Sequence, residues 1–304
     1  MDELTIVSRF VQFGAVSLLF GAALFRSLIV RPRLAGHAPG DGFSDWLQRL
    51  FVLAATLALL SALGWFAGVA VNMAGTWSDA LGRDTITAVL FDTRFGLVWT
   101  ERLALIAAIF ILLARRWRRP RMVEFAMLAL SGALVASLAG IGHGSAGEGW
   151  LGVVHLFADM VHLLCAAAWL GGLVCLGYVL HKRLAGVAVA MPDVRTTLPR
   201  FSRIGYFAVA VLLVSGCVNA IVMVPSLEAL IGTVYGRVLL IKLALVGLMA
   251  AVALVNRLVV TPRIIRSDTI AAVALLWRNV VMEQSLGVMV LAAVAVLGTI
   301  HPAP

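Results

Sequence analysis

Eight runs of apolar residues recur along this 304-residue chain, each long enough to cross roughly 30 Å of hydrocarbon. They occupy roughly 5–30, 46–74, 96–114, 122–142, 152–180, 203–224, 237–260 and 274–300. Inside lipid, every backbone N–H and C=O must find its partner within the protein, which leaves helices or a closed barrel. Runs of this length with no strict alternation select helices. With 62% hydrophobic and 13% charged residues and a mean hydropathy of +1.02, the chain lacks the polar side chains that a water-soluble surface requires. The expected fold is all-α: a polytopic transmembrane bundle of about eight spans forming one integral-membrane domain over 1–304, with no internal repeat and no low-complexity linker. The first run follows Asp2 and Glu3 and lacks a small-residue cleavage site, so it reads as a retained helix and not as a signal peptide.

The connections set an expected orientation, because loops retained in the cytoplasm collect Lys and Arg. "RSLIVRPR", "RRWRRPR", "HKR" and "NRLVVTPRIIR" follow the first, third, fifth and seventh spans and fall on one side. "GTWSDALGRDTITAVLFDTRFG", "GHGSAGEGWLG" and "VPSLEALIGTVYG" fall on the other, with no Lys and several acids. Both termini are therefore expected to face outward, away from the cytoplasm. The same distribution accounts for the net charge of +9. Basic residues spread over four short loops suit anionic lipid head groups and exclude a nucleic-acid partner.

Cys165, Cys175 and Cys217 lie within spans without C-x-x-C spacing, and their expected role is apolar packing. No P-loop or G-x-G-x-x-G stretch occurs, and the expectation is a protein that is not an enzyme.

One span departs from the apolar pattern. In "HLFADMVHLLCAAAWLGG", His155, Asp159 and His162 fall within roughly 60° of one another on a helix, and Trp169 continues the stripe. Each such group costs a few kcal/mol in hydrocarbon, so this face belongs against protein, a wet cavity or a bound cation. Other ligand-type residues end at the same level: His143 in "GIGHGSAGEG", Met73 closing the second span, Met223 closing the sixth, and His301 after the eighth. Imidazole suits copper in both oxidation states and thioether suits Cu(I), so the assortment favours a copper ion over a hard cation. Asp159 would orient an imidazole or balance the ion's charge, and its alternative is a buried pair with an arginine such as Arg94. His37 and His181 read as loop residues. The competing reading is a haem-binding electron carrier or copper oxidoreductase. His155 and His162 on one helix face cannot both approach one iron from opposite sides, which counts against it.

The stretch "DMVHLLCAAAWLGGL" resembles the signature of the CopD family of bacterial copper-resistance membrane proteins, in which an acid, a histidine, small residues and Trp-Gly-Gly follow in this order. "RFSRIGYFAVAVLLVSGCVNA", "YGRVLLIKLALVGLMAAVALVNRLVVTPR" and "RNVVMEQSLGVMVLAAVAVLG" resemble later segments of that family, so the resemblance is strongest over 140–300, with the first four spans alike in topology. It implies an eight-span fold, movement of copper across the inner membrane in uptake or resistance, and a periplasmic copper chaperone of the CopC type as partner. It places Asp159, His162, Trp169, Gly171 and Gly172 in the fifth-span motif and Asn219, Lys242, Asn256 and Glu283 among polar membrane positions. His155 and His143 are similar in placement. Gly171 and Gly172 also have a plain use in close helix approach. Lys242 and Glu283 have two open readings: an ion pair locking the last two spans, or a gate or proton-coupled step. Lys242 would repel a cation and is not expected to ligate one.

Overall fold

A backbone in lipid bonds to itself, and the chain does so in eight long helices, here seen in a computed structural model that describes residues 2–30, 42–114, 120–141, 149–186, 193–223, 226–267 and 269–300. The spans are α1 (Glu3–Ile29), α2 (Gly42–Ala74), α3 (Arg94–Ala114), α4 (Arg121–Gly140), α5 (Gly149–Leu184), α6 (Val194–Ile221), α7 (Val234–Ser267) and α8 (Ile270–Leu297). All eight expected spans are present. Several begin earlier than hydropathy indicated, α6 at Val194 and not near 203, because polar first turns are helical too. The 75–93 connection is not a plain loop: it carries short helices at Trp77–Ala80 and Arg83–Phe91, the first capped by Thr76, whose hydroxyl accepts from the Asp79 N–H at 3.2 Å.

Helices α1 and α5 form the centre. α1 packs against α2, α4, α5 and α8, and α5 packs against α1, α4, α6 and α8. These two are the most buried spans, whereas α6 and α7 are the least. Small residues explain the central contact. A Cβ on Gly171 would lie 2.2 Å from the Ser17 carbonyl oxygen, and one on Gly21 would lie 2.5 Å from Gly171 Cα, so only glycine permits this crossing. Gly172 faces the other way and receives the Phe201 ring of α6.

Buried polar groups tie the remaining helices. Arg102 of α3, 1% exposed, donates from Nη1 to the Leu134 carbonyl at 3.1 Å and to Ser137 Oγ at 2.7 Å. On α1, Thr5, Ser8, Arg9 and Gln12 repeat at helical spacing and face α2, where Ser61 Oγ lies 2.5 Å from Gln12 Oε1 and Gly64 and Gly68 make room. At the basic end, Arg26 pairs with Glu124 at 2.9 Å and Arg200 donates to the Ile29 carbonyl at 2.9 Å. The last turns of α1 (Phe25–Ile29) and the Asn256–Val260 stretch of α7 widen into π-helix.

Candidate metal-translocation site

The fifth-span stripe lies in a groove of particular shape. α6 packs on α5, while α7 packs on α8, and the two flanking helices meet chiefly at their ends. At the basic end Arg195 Nη2 donates to the Ile265 carbonyl at 3.0 Å. At the opposite end Met223 packs beside Tyr235, Leu239 and Leu297. Between these contacts, α6 and α7 frame the α5 face that carries His155, Asp159 and His162.

Each polar residue of that face has identifiable company. His155 is 4% exposed, while Asp159 and His162 are half-buried. Asn219 Nδ2 of α6 donates to Asp159 Oδ1 at 3.2 Å. Asp159 also interacts electrostatically with His155, with Lys242 of α7 and with Tyr235. His162 Nδ1 lies 3.0 Å from Ser215 Oγ. The single Ser215 hydroxyl proton is directed to the Val211 carbonyl at 2.6 Å, so the serine oxygen accepts and His162 donates from Nδ1–H. That tautomer leaves Nε2 with a free lone pair, the state a metal ligand requires. Gly216 lies beside the ring: a Cβ there would stand 3.4 Å from His162 Cε1, in ordinary contact.

The structure therefore brings His155, Asp159 and His162 to one face together with Ser215, Asn219, Tyr235 and Lys242. Among the described residues, no three His, Cys, Asp or Glu side chains form a preformed metal cage. Met223 lies against the Tyr235 cluster. Met73 is exposed on α2, which packs against α1, α3 and the short helices of the 75–93 connection. His143 and His301, and also His37, fall outside the described residues. The thiols are free, with Cys175 buried, Cys165 half-buried and Cys217 exposed.

Two expected pairings are replaced. Asp159 finds Asn219, His155 and Lys242 and not Arg94, because α6 and α7, not α3, border this face of α5. Lys242 and Glu283 do not pair: Lys242 faces Asp159 and His162. Glu283, 2% exposed and halfway along α8, accepts from Asn256 Nδ2 at 2.7 Å and lies near the Trp169 side chain. Asn279 Nδ2 donates in turn to Asn256 Oδ1 at 2.6 Å. Glu283 is thus deep in the bundle and not at an interface. Ser215 and Tyr235 were not singled out in the sequence, because one hydroxyl in an apolar span is commonplace. The only signal was that Ser215 lies one helical turn before Asn219.

Residues 1–153 match the family described as copper resistance protein D-like, N-terminal domain, and residues 195–297 match the family described as copper resistance protein D. The likeness thus reaches the first four spans in sequence as well as topology. The chain is 33% identical over 268 residues to inner membrane protein YebZ of Escherichia coli (strain K12), covering 85% of this chain and 84% of the relative. It is 29% identical over 262 residues to copper resistance protein D of Pseudomonas syringae pv. tomato, covering 86% and 83%. It is also 29% identical over 247 residues to copper transport protein CutJ of Bacillus subtilis (strain 168), covering 78% of this chain and 43% of that one. No solved structure matches.

Proposed function

This chain belongs to the copper resistance protein D family, and from that premise we propose that it is a bacterial inner-membrane protein that moves copper between periplasm and cytoplasm. Copper is its substrate, and no catalytic step is assigned to it. Both termini face the periplasm, as the Lys and Arg distribution supports, so the Gly149 end of α5 is outermost. Copper arrives there from a periplasmic chaperone of the CopC type and meets His155 first, then Asp159 about 6 Å and His162 about 10 Å further along the helix.

The observation that carries this reading is the 3.0 Å pairing of His162 Nδ1 with Ser215 Oγ on the face that also holds His155 and Asp159. With the Ser215 proton given to the Val211 carbonyl, the ring donates from Nδ1–H, and its lone pair is then on Nε2, where a metal would bind. Asp159 supplies negative charge beside the ion, and the positive charge of Lys242 across the groove favours its ionised form beforehand. The three α5 groups do not complete a coordination shell. His143, His301, Met73 and Met223 are the residues we propose to complete it when the ion is present.

Equilibrium dialysis of the purified protein against copper tests this. His155→Gln and His162→Gln keep hydrogen-bonding capacity but ligate copper poorly, and each weakens binding at least tenfold. Ser215→Ala and Asp159→Asn weaken it by about 10- to 100-fold through loss of orientation and charge, while Cys175→Ala leaves it unchanged. Parental affinity in folded samples of both histidine variants would refute the site. An intense Soret band in the purified protein would refute copper as the substrate.

A further inference from the structure

Below the histidine face, Trp169, Glu283, Asn256 and Asn279 form a second buried polar cluster where α5, α7 and α8 meet. Its hydrogen bonds all point one way. Asn279 donates to Asn256 and Asn256 donates to Glu283, and the Trp169 indole, a donor only, lies near the same carboxyl. The carboxyl is therefore held as an acceptor, the arrangement of an ionised group. Among the described residues, no cation forms an ion pair with it. Of the helices packed against α8, α7 carries Arg237, Lys242, Arg257, Arg263 and Arg266, α5 carries His155, His162, His181, Lys182 and Arg183, and α1 carries Arg9 and Arg26; none of these forms an ion pair with Glu283, and neither does Arg278 on α8 itself.

A buried carboxylate without a counter-ion halfway through a membrane is costly, so this position favours taking up a cation. The donors choose which one. Asn256 Nδ2 and the indole N–H point their positive ends at the oxygens, which repels a metal ion needing several oxygen ligands but leaves room for a hydrogen on one oxygen. Taking a proton makes one oxygen an O–H donor, while Oε1 still accepts from Asn256. Asn256 heads the π-helical Asn256–Val260 stretch. A π segment is a common mark of a functional position in a helix.

We propose that Glu283 is a proton-binding site at the middle of the membrane, and that copper crossing one way is exchanged for a proton crossing the other. This rests on the copper reading above: the charge that copper carries across by the α5 face is offset by a proton that leaves Glu283 in the other direction. In the step an O–H bond forms on Glu283 with a proton from water at one face and breaks to give a proton to water at the other, and nothing is oxidised or reduced.

Two measurements on the full chain separate this proposal from the copper reading. In a pH titration followed by infrared difference spectroscopy without copper, the parent gains a carboxylic-acid C=O band as pH falls. Glu283→Gln removes that band, Trp169→Phe shifts it, and Asp159→Asn leaves it. A titrating band that survives Glu283→Gln, or no band in the parent, overturns the proton site whatever copper does. In proteoliposomes holding a pH-sensitive dye, external copper raises lumenal pH with the parent. Glu283→Gln abolishes the rise while retaining parental copper binding by dialysis. Copper entry without a pH change in the parent, or an unchanged rise in Glu283→Gln, overturns the exchange. Parental copper affinity in both His155→Gln and His162→Gln sinks the copper site alone and leaves the infrared result standing.

Discussion

Substituting Gly171 by alanine acts on the contact that holds the site-bearing helix. The added methyl would lie 2.2 Å from the Ser17 carbonyl oxygen and 2.9 Å from Gly21 Cα, against an ordinary contact of 3.4 Å or more. Backbone cannot rotate aside as a side chain can, so α1 and α5 must part by about 1 Å, and the expected cost is about 1–3 kcal/mol, the usual range for overpacking. Gly21→Ala inserts its methyl into the same crossing, 2.5 Å from Gly171 Cα. One separation of the helices relieves both clashes, so the double variant should lose less than the sum of the single losses. Gly247→Ala is the control: nothing lies within 4 Å of its added Cβ, and alanine in a helix interior gains up to about 1 kcal/mol. Thermal unfolding in detergent, read by loss of monodisperse protein on size-exclusion chromatography, measures all four. Copper affinity should fall with Gly171→Ala as well, because α5 carries His155 and His162. Parental melting of Gly171→Ala, or fully additive losses, would refute the close crossing.

Two further outcomes follow from the same contacts. Cysteine in place of Ser226 should react with a membrane-impermeant thiol reagent in intact cells, and cysteine in place of Thr196 should not, once the native cysteines are removed; both positions are exposed at opposite ends of α6, so the reverse pattern inverts the topology. For the electrostatic contact of Asp159 with Lys242, Asp159→Asn combined with Lys242→Met should preserve folded yield better than either change alone, since one change leaves a buried charge uncompensated. Independent losses would show that the two groups do not interact.

The eight spans were legible because lipid imposes one requirement on every residue of a span, and hydropathy sums it over twenty or more positions. The α5 stripe was legible for a related reason: His155, Asp159 and His162 violate that requirement at helical spacing. Partner identity was not. Lys242 and Glu283 lie on adjacent helices of opposite charge, which makes a pair plausible, yet helix rotation turns Lys242 to the α5 groove and Glu283 towards Trp169 and Asn256. Rotation about a helix axis depends on packing against every neighbour, such as Gly287 receiving Leu170 and Gln284 donating to the Leu173 carbonyl at 2.8 Å. Local pattern carries no record of such contacts. The stripe of Thr5, Ser8, Arg9 and Gln12 was present in the sequence at the same spacing and passed unremarked, because an N-terminal span entering the membrane is expected to be polar in its first turns.

The central claim is that copper crosses the membrane by way of the α5 face. Its most direct test is copper flux into proteoliposomes that enclose a fluorescent copper chelator. The parent should load the vesicles well above protein-free controls, His155→Gln and His162→Gln should each reduce the initial rate at least tenfold, and Cys175→Ala should match the parent. Flux no greater than the protein-free background, or flux undiminished in both folded histidine variants, would contradict the account.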